Sequence, residues 1–396
     1  MTPLRACPVP PTVRRLPAAR LLLPLLVLSA ACGDSGDGTP DAADATDVPA
    51  DGDVPLEVPA DHAGTEDAAA DADTTPDDGA GDEASGPDGA WRPFSDDSPW
   101  NTPLPADPEL EPDSAALIAD FASSSPWGPH LDVNIAGYSI PLYWADAATP
   151  TFEVLAGVGG EGWLGDNGMN AVGTMPIPDG AAPDPESDHH LLVIDRGRGL
   201  EWGCWNMRLE TGGWRAGLCA ASDLRGTGVR TPATVADPWW MAHGARACGF
   251  PLVAGLIRRE EVAAGRIDHA LIVAYPHIRA GWFTPPASTG QARIGDDAIS
   301  TRGIPCGGRI QFDPAVDVDA LDVSPAGKLV LHALQTYGAY VGDYSGALSL
   351  YAENSPEAQA YWAAGVLDSY ELLDRIDLSR FRVLRLGTLY DNGNGD

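Results

Sequence analysis

Residues 255–276, GLIRREEVAAGRIDHALIVAYP, decide how the rest of the chain is read. They open with one helical turn in which Glu260 and Glu261 come early, where the positive end of a helix dipole favours carboxylates. Gly265 supplies a left-handed stop. Asp268 and His269 then run into residues 270–275, an apolar stretch closed by Pro276 that reads as a buried strand. Alternating geometry puts His269 on a face with Leu271, Val273 and Tyr275, and Asp268 with Ala270 and Ile272. Both faces are apolar. The strand is therefore expected to be covered on both sides, with an imidazole at its mouth.

The same arrangement occurs upstream, where SDHH at 187–190 leads into LLVI at 191–194. His190 shares a face with Leu192 and Ile194, and His189 with Leu191 and Val193. RIQFD at 309–313 alternates, presenting Arg309 and Gln311 on one face over a core of Ile310 and Phe312. Ser324-Pro325 opens the best helix, with Leu329, Val330, Ala333, Leu334 and Tyr337 on one side and Gly338 at its end. Residues 339–341 and 347–351 flank a turn at Gly342-Asp343-Tyr344 and are expected to pair as a hairpin. Shorter helices are expected after Asp113 or Ser114 and after Ser355, and a last strand over 381–386. Residues 91–104, rich in proline and aromatics, are expected to lie across the domain surface. Residues 157–173 form a glycine-dense loop able to wall a site. Many short strands punctuated by Gly and Pro predict a mainly β domain, a single sandwich, jelly-roll-like unit or barrel with several peripheral helices. A mixed α+β layer fold is the alternative.

Three segments follow from composition. Residues 1–31 read as a signal peptide, with Arg5, Arg14, Arg15 and Arg20 before a short apolar run at 21–28 and small residues before Cys32. They resemble a bacterial lipoprotein signal, in which Cys32 would become the lipidated first residue, although Leu28 sits four residues before the cysteine rather than three. Residues 32–90 then read as a lipid-anchored acidic tether. From residue 33 the segment lacks Lys, Arg and aromatic side chains and cannot bury enough apolar surface to order itself. Residues 91–396 hold every tryptophan and form the globular domain. A net charge of −33 argues against nucleic acid as a partner. The expected location is the cell envelope, at an outer membrane or cell surface, with the membrane reached through the anchor at Cys32.

Four cysteines remain in the globular part, Cys204, Cys219, Cys248 and Cys306. If Leu209 faces Trp214 across the loop at 210–213, stepping five residues back along each strand places Cys204 opposite Cys219. Cys248–Cys306 follows by elimination. No CxxC spacing supports zinc, and no GxGxxG or P-loop precedes a helix, so neither a metal nor another cofactor is expected.

The candidate chemistry rests on His190, His269, Arg309, Gln311, Tyr340 and Asp343, with His189, Asp268 and His243 as secondary candidates. Imidazoles exchange protons near neutral pH. Arg beside Gln can hold a carboxylate. Tyrosine can protonate a leaving oxygen. That set suits β-elimination of a uronic-acid polymer. Asp343 paired with a second carboxylate such as Asp268 would suit glycoside hydrolysis instead. Two histidines and an aspartate could also bind a metal. Each residue also has a plainer reading. A histidine at a strand start can be a hydrogen-bonded structural group, Arg309 an exposed edge charge, and His243 packing beside Trp239 and Trp240.

GLIRREEV at 255–262, IDHAL at 267–271, IPCGGR at 304–309 and LQTYGAYVGD at 334–343, with SPWNTPL at 98–104, resemble a pattern in a set of uncharacterised secreted bacterial proteins. The likeness implies one exported domain and no particular activity. A distant analogy to jelly-roll polysaccharide lyases rests on residue types alone. The sequence thus leads to the expectation of a surface lipoprotein acting on extracellular polysaccharide, as lyase or glycoside hydrolase. The alternative is a non-catalytic surface module that binds a glycan or a partner.

Overall fold

The computed structural model describes residues 91–157, 169–170, 173–230, 244–291, 302–370, 372 and 375–391. The chain divides into two units, Met1–Thr74 and Thr75–Asp396, and every described residue belongs to the second. The signal segment, Cys32, the acidic tether, His243 and most of the loop at 157–173 lie outside the described residues.

Among the described residues strand (29%) outweighs helix (17%), which decides for the mainly β reading over the α+β alternative; they form four mixed sheets, among them a curled half-barrel. Leu271–Ala274 lies inside the largest sheet, with all four side chains buried. The six strands run in the order Leu131–Asn134, Leu348–Tyr351, Leu271–Ala274, Ala339–Asp343, Arg309–Phe312, Phe381–Val383. The hairpin expected across residue 343 does not form. Leu271–Ala274 separates its two arms, parallel to Ala339–Asp343 and antiparallel to Leu348–Tyr351. A strand apolar on both faces loses most surface to water at an interior position, so it takes that place between its neighbours.

The expected turn at Gly342 is instead a bulge. Val273 stands opposite Val341 and Ala274 opposite Asp343, leaving Gly342 as the extra residue. A Cβ at this position would fall 2.3 Å from Ile272 Cδ1 and 3.3 Å from Phe250 Cδ2. A larger residue here would have to displace the tip of the Ile272 side chain, and the extra residue re-aims Asp343.

Pro325–Thr336 is the expected helix, and Ser324 Oγ accepts from the Gly327 amide at 3.0 Å as its cap. It packs on Arg309–Phe312 and covers Gln311. Gln311 was expected on a polar face, yet it is buried because its Nε2 donates to Gln335 O at 2.6 Å. The lead-in also departs from expectation. Trp100 is 1% exposed and meets Phe250 and Tyr340 edge-on, each with ring centroids 4.9 Å apart. Such large apolar rings stabilise more as core than as a surface strap.

The second sheet runs Leu142–Trp144, Leu191–Asp195, Leu200–Trp205, Leu218–Asp223, Met169–Asn170. Leu192 and Ile194 join the main core, whereas Leu191 and Val193 join a smaller one with Met175, Trp202 and Trp214. The alternation read from the sequence holds. So does the register: Leu209 pairs with Trp214 and Cys204 with Cys219. Both disulfides, Cys204–Cys219 and Cys248–Cys306, are formed. They point to an oxidising, extracytoplasmic environment.

Candidate functional site

His269 sits at the entry of its strand, 3% exposed. Its Nδ1 lies 2.9 Å from Ala270 O, and its Nε2 lies 2.9 Å from Glu261 Oε1. Glu261 also pairs with Arg258, whose amide donates to Glu261 Oε2 at 3.1 Å. Burial works against the Glu261 charge, but Arg258 and then His269 outweigh it and hold the carboxyl below its ordinary value. The helical turn Arg259–Ala263 is thus tied to the strand it precedes. Asp268 leaves this group and pairs with Arg266, Nε to Oδ2 3.0 Å.

Arg309 and Tyr340 meet on adjacent strands, where they are register partners. The guanidinium carbon stands 4.8 Å from the centre of the Tyr340 ring. Arg309 Nε donates to Tyr337 O at 2.7 Å and its Nη2 to Thr102 O at 3.2 Å. Burial raises the Tyr340 phenol above its ordinary value, with Arg309 opposing. Gln311 accepts from Arg382 Nε at 2.9 Å. The polar capacity of Arg309 and Gln311 is largely taken up within the fold.

Asp343 lies at the other end of the strand from Tyr340, about 10 Å away at ordinary strand rise. It stands with residues the sequence did not single out. Arg246 Nη1 is 3.9 Å from Asp343 Oδ2, and the Arg246 guanidinium carbon is 4.5 Å from the centre of the Tyr351 ring. The loop that carries Arg246 is tight. A Cβ on Gly244 would fall 2.2 Å from Phe250 O, and Gly249 has φ +84°. The Cys248 amide donates to Gly342 O at 3.4 Å, which ties the disulfide to the bulge. Arg246 is 1% exposed; its Nη2 donates to Leu252 O at 3.3 Å, while Nε and Nη1 are buried without a hydrogen-bond partner.

Electrostatics separate this cluster from the others. Burial pushes the Asp343 carboxyl up to about 7; Arg246 opposes the rise and Asp188 adds to it. Burial raises Asp188 as well, against its hydrogen bond from Trp205 Nε1 at 3.5 Å. Burial, then Arg246, pulls His190 down to about 3, and its Nδ1 is buried with no hydrogen-bond partner. Burial and neighbouring Asp343 push the Tyr351 phenol well above its ordinary value. On another side of Arg246, Glu201 accepts from the Leu252 and Val253 amides at 3.0 Å each, and burial raises it to about 7. His189, in the left-handed region at φ +43°, turns away to bond Asp184 O through Nδ1 at 2.9 Å.

The six candidates therefore fall into separate groups. His190 and Asp343 share one electrostatic cluster through Arg246. Arg309 with Tyr340, Gln311 with Arg382, and His269 with Glu261 occupy their own. Among the described residues no group of three or more His, Cys, Asp or Glu side chains is placed to hold a metal ion. Arg246, Tyr351, Asp188 and Glu201 were missed. Asp188 lay inside a motif already noted, but nothing in the spacing around Arg246 signals a buried charge. Comparison with protein-family models, curated proteins and solved structures finds no match for this chain.

Proposed function

We propose that the protein is an exported, lipid-anchored surface protein that hydrolyses an extracellular carbohydrate, with Asp343 as its proton-transferring residue. The observation that supports this reading is Asp343 beside buried Arg246, Nη1 to Oδ2 3.9 Å, with the Asp188 carboxylate adding to the rise of the Asp343 carboxyl. A carboxyl held at about 7 can give and take a proton near neutral pH, where general acid–base catalysis is most effective. Asp343 also keeps 15% of its side chain exposed, against none for Arg246. In this reading Arg246 sets the charge balance of the site, and Asp343 protonates the leaving glycosidic oxygen. A carboxylate partner assists attack of water at the anomeric carbon. The elimination reading loses support because Arg309 and Gln311 bond to the protein itself.

The test uses the full chain on neutral and acidic polysaccharides, following reducing ends and the ultraviolet absorbance of an unsaturated uronate together. The expected result is a rise in reducing ends alone, cut by about 100-fold or more in Asp343→Asn. A rise in unsaturated uronate would overturn hydrolysis. Silence on every polymer would overturn the enzyme reading.

A further inference from the structure

At the opposite end of the second sheet from His190 lies an open groove of about 700 Å³, within the range of small-ligand sites. Six residues of extended chain separate His190 from Arg196 on its wall, roughly 20 Å. The groove shares no lining residue with the Asp343 cluster.

Its wall sets one aromatic ring, Trp144, beside fixed polar groups. Trp144 ends an edge strand and is 40% exposed. Arg196 lies over it, with the guanidinium carbon 4.1 Å from the Trp144 ring centre and 4.5 Å from that of Trp91. Trp91 meets Trp144 edge-on at 5.4 Å. Glu260 holds the same guanidinium through both carboxylate oxygens at 2.9 and 2.8 Å. These contacts fix the indole, which costs little further entropy when a ligand stacks on it. Asp195, 2% exposed, accepts from the Arg198 amide at 2.8 Å and from Arg198 Nε at 2.5 Å, while the Arg198 side chain stays 44% exposed. Asp146 Oδ1 accepts from the Ala148 amide at 2.9 Å and Thr149 Oγ1 at 3.0 Å, which orders the rim.

Charge selects the ligand. The lining carries two guanidinium groups, Arg196 and Arg198, and three carboxylates, Asp146, Asp195 and Glu260. Both cations are already paired, and the chain as a whole carries −33, so a polyanion gains nothing here. An aromatic face beside planar donors and acceptors in fixed pairs suits a ring with an apolar C–H face and adjacent hydroxyls. We infer that the groove lined by Trp144, Asp146, Arg196 and Arg198 binds a neutral pyranose unit of an extracellular polysaccharide. This holds whether or not Asp343 turns the polymer over.

The test is native affinity electrophoresis of the full chain through gels containing dextran, laminarin, mannan, xylan or, as the acidic control, polygalacturonate. At least one neutral polymer is expected to retard the chain, with polygalacturonate giving none. Trp144→Ala should weaken that retardation at least tenfold, and Trp144→Phe, which keeps an aromatic face, should recover most of it. Arg198→Met should weaken it as well. Retardation by no neutral polymer overturns the inference, as does retardation indifferent to Trp144→Ala. Loss in Asp343→Asn alone would place binding at the other cluster and overturn it too. Hydrolysis and binding are read separately, so failure of one does not mimic failure of the other.

Discussion

Asp343 and His190 shift in opposite senses and act oppositely on stability. The Asp343 carboxyl sits at about 7 in the fold against an ordinary 3.8, so the folded chain retains a proton that the unfolded chain releases. Its contribution to stability is complete below the ordinary value and is lost as pH rises through about 7. Glu201, raised from 4.5 to about 7, acts in the same sense. His190, lowered from 6.5 to about 3, does the reverse: its contribution is present above 6.5 and lost as pH falls through about 3. Between about pH 4.5 and 7 the two carboxyls outweigh His190, and the domain should lose stability as pH rises, with the loss complete by about pH 8. Asp343→Asn should flatten this loss by on the order of 1–2 kcal/mol, measured as urea midpoints at pH 5 and pH 8. His269 makes a different prediction. Its imidazole is a partner of buried Glu261, so His269→Ala should cost about 2 kcal/mol in urea unfolding and leave turnover within a few-fold. At this scale the sequence was a partial guide. His190 could be noted because an imidazole before an apolar run marks a strand start, whereas Asp343 was noted for a turn that proved to be a bulge. Arg246 could not, since a lone arginine between Gly244 and Cys248 has no periodicity to read.

Elements were legible where their cause is local. The apolar run at 270–275, the Ser324 cap and the Leu209–Trp214 register each depend on neighbours within about a dozen residues, and each has the form expected. Pairing across long separations was not legible. Ala339–Asp343 and Leu348–Tyr351 look like a hairpin because only a short turn separates them, yet both take Leu271–Ala274 as partner. The same long-range choice makes Gly342 a bulge. Gly342→Ala would press a methyl into Ile272 and Phe250 at a tightly packed position and should cost about 1–3 kcal/mol, read as a lowered urea midpoint with unchanged slope. It should also lower hydrolysis more than it lowers retardation by a neutral polymer, because the bulge aims Asp343 and lies away from the groove.

Across the whole molecule, two cores share the second sheet, and each disulfide serves one of them. Cys204–Cys219 cross-links two neighbouring strands of the sheet that borders the smaller core. Cys248–Cys306 closes a span of 58 residues in the larger core and holds the loop of Arg246 against the bulge. Replacing both of its cysteines by alanine should cost about 4 kcal/mol through the freed unfolded chain. Hydrolysis should fall with it, since Arg246 would lose its frame. The molecule thus keeps a buried charged cluster around Arg246 and, with no residue in common, a groove walled by Trp144, Arg196 and Arg198. The most direct test of this arrangement is the initial rate of reducing-end release by four full-length proteins on one polymer: wild type, Asp343→Asn, His269→Gln and Arg309→Lys. The account predicts a drop of about 100-fold or more for Asp343→Asn alone, with the other two within about tenfold of wild type. A rate abolished by His269→Gln or Arg309→Lys and retained in Asp343→Asn would contradict it.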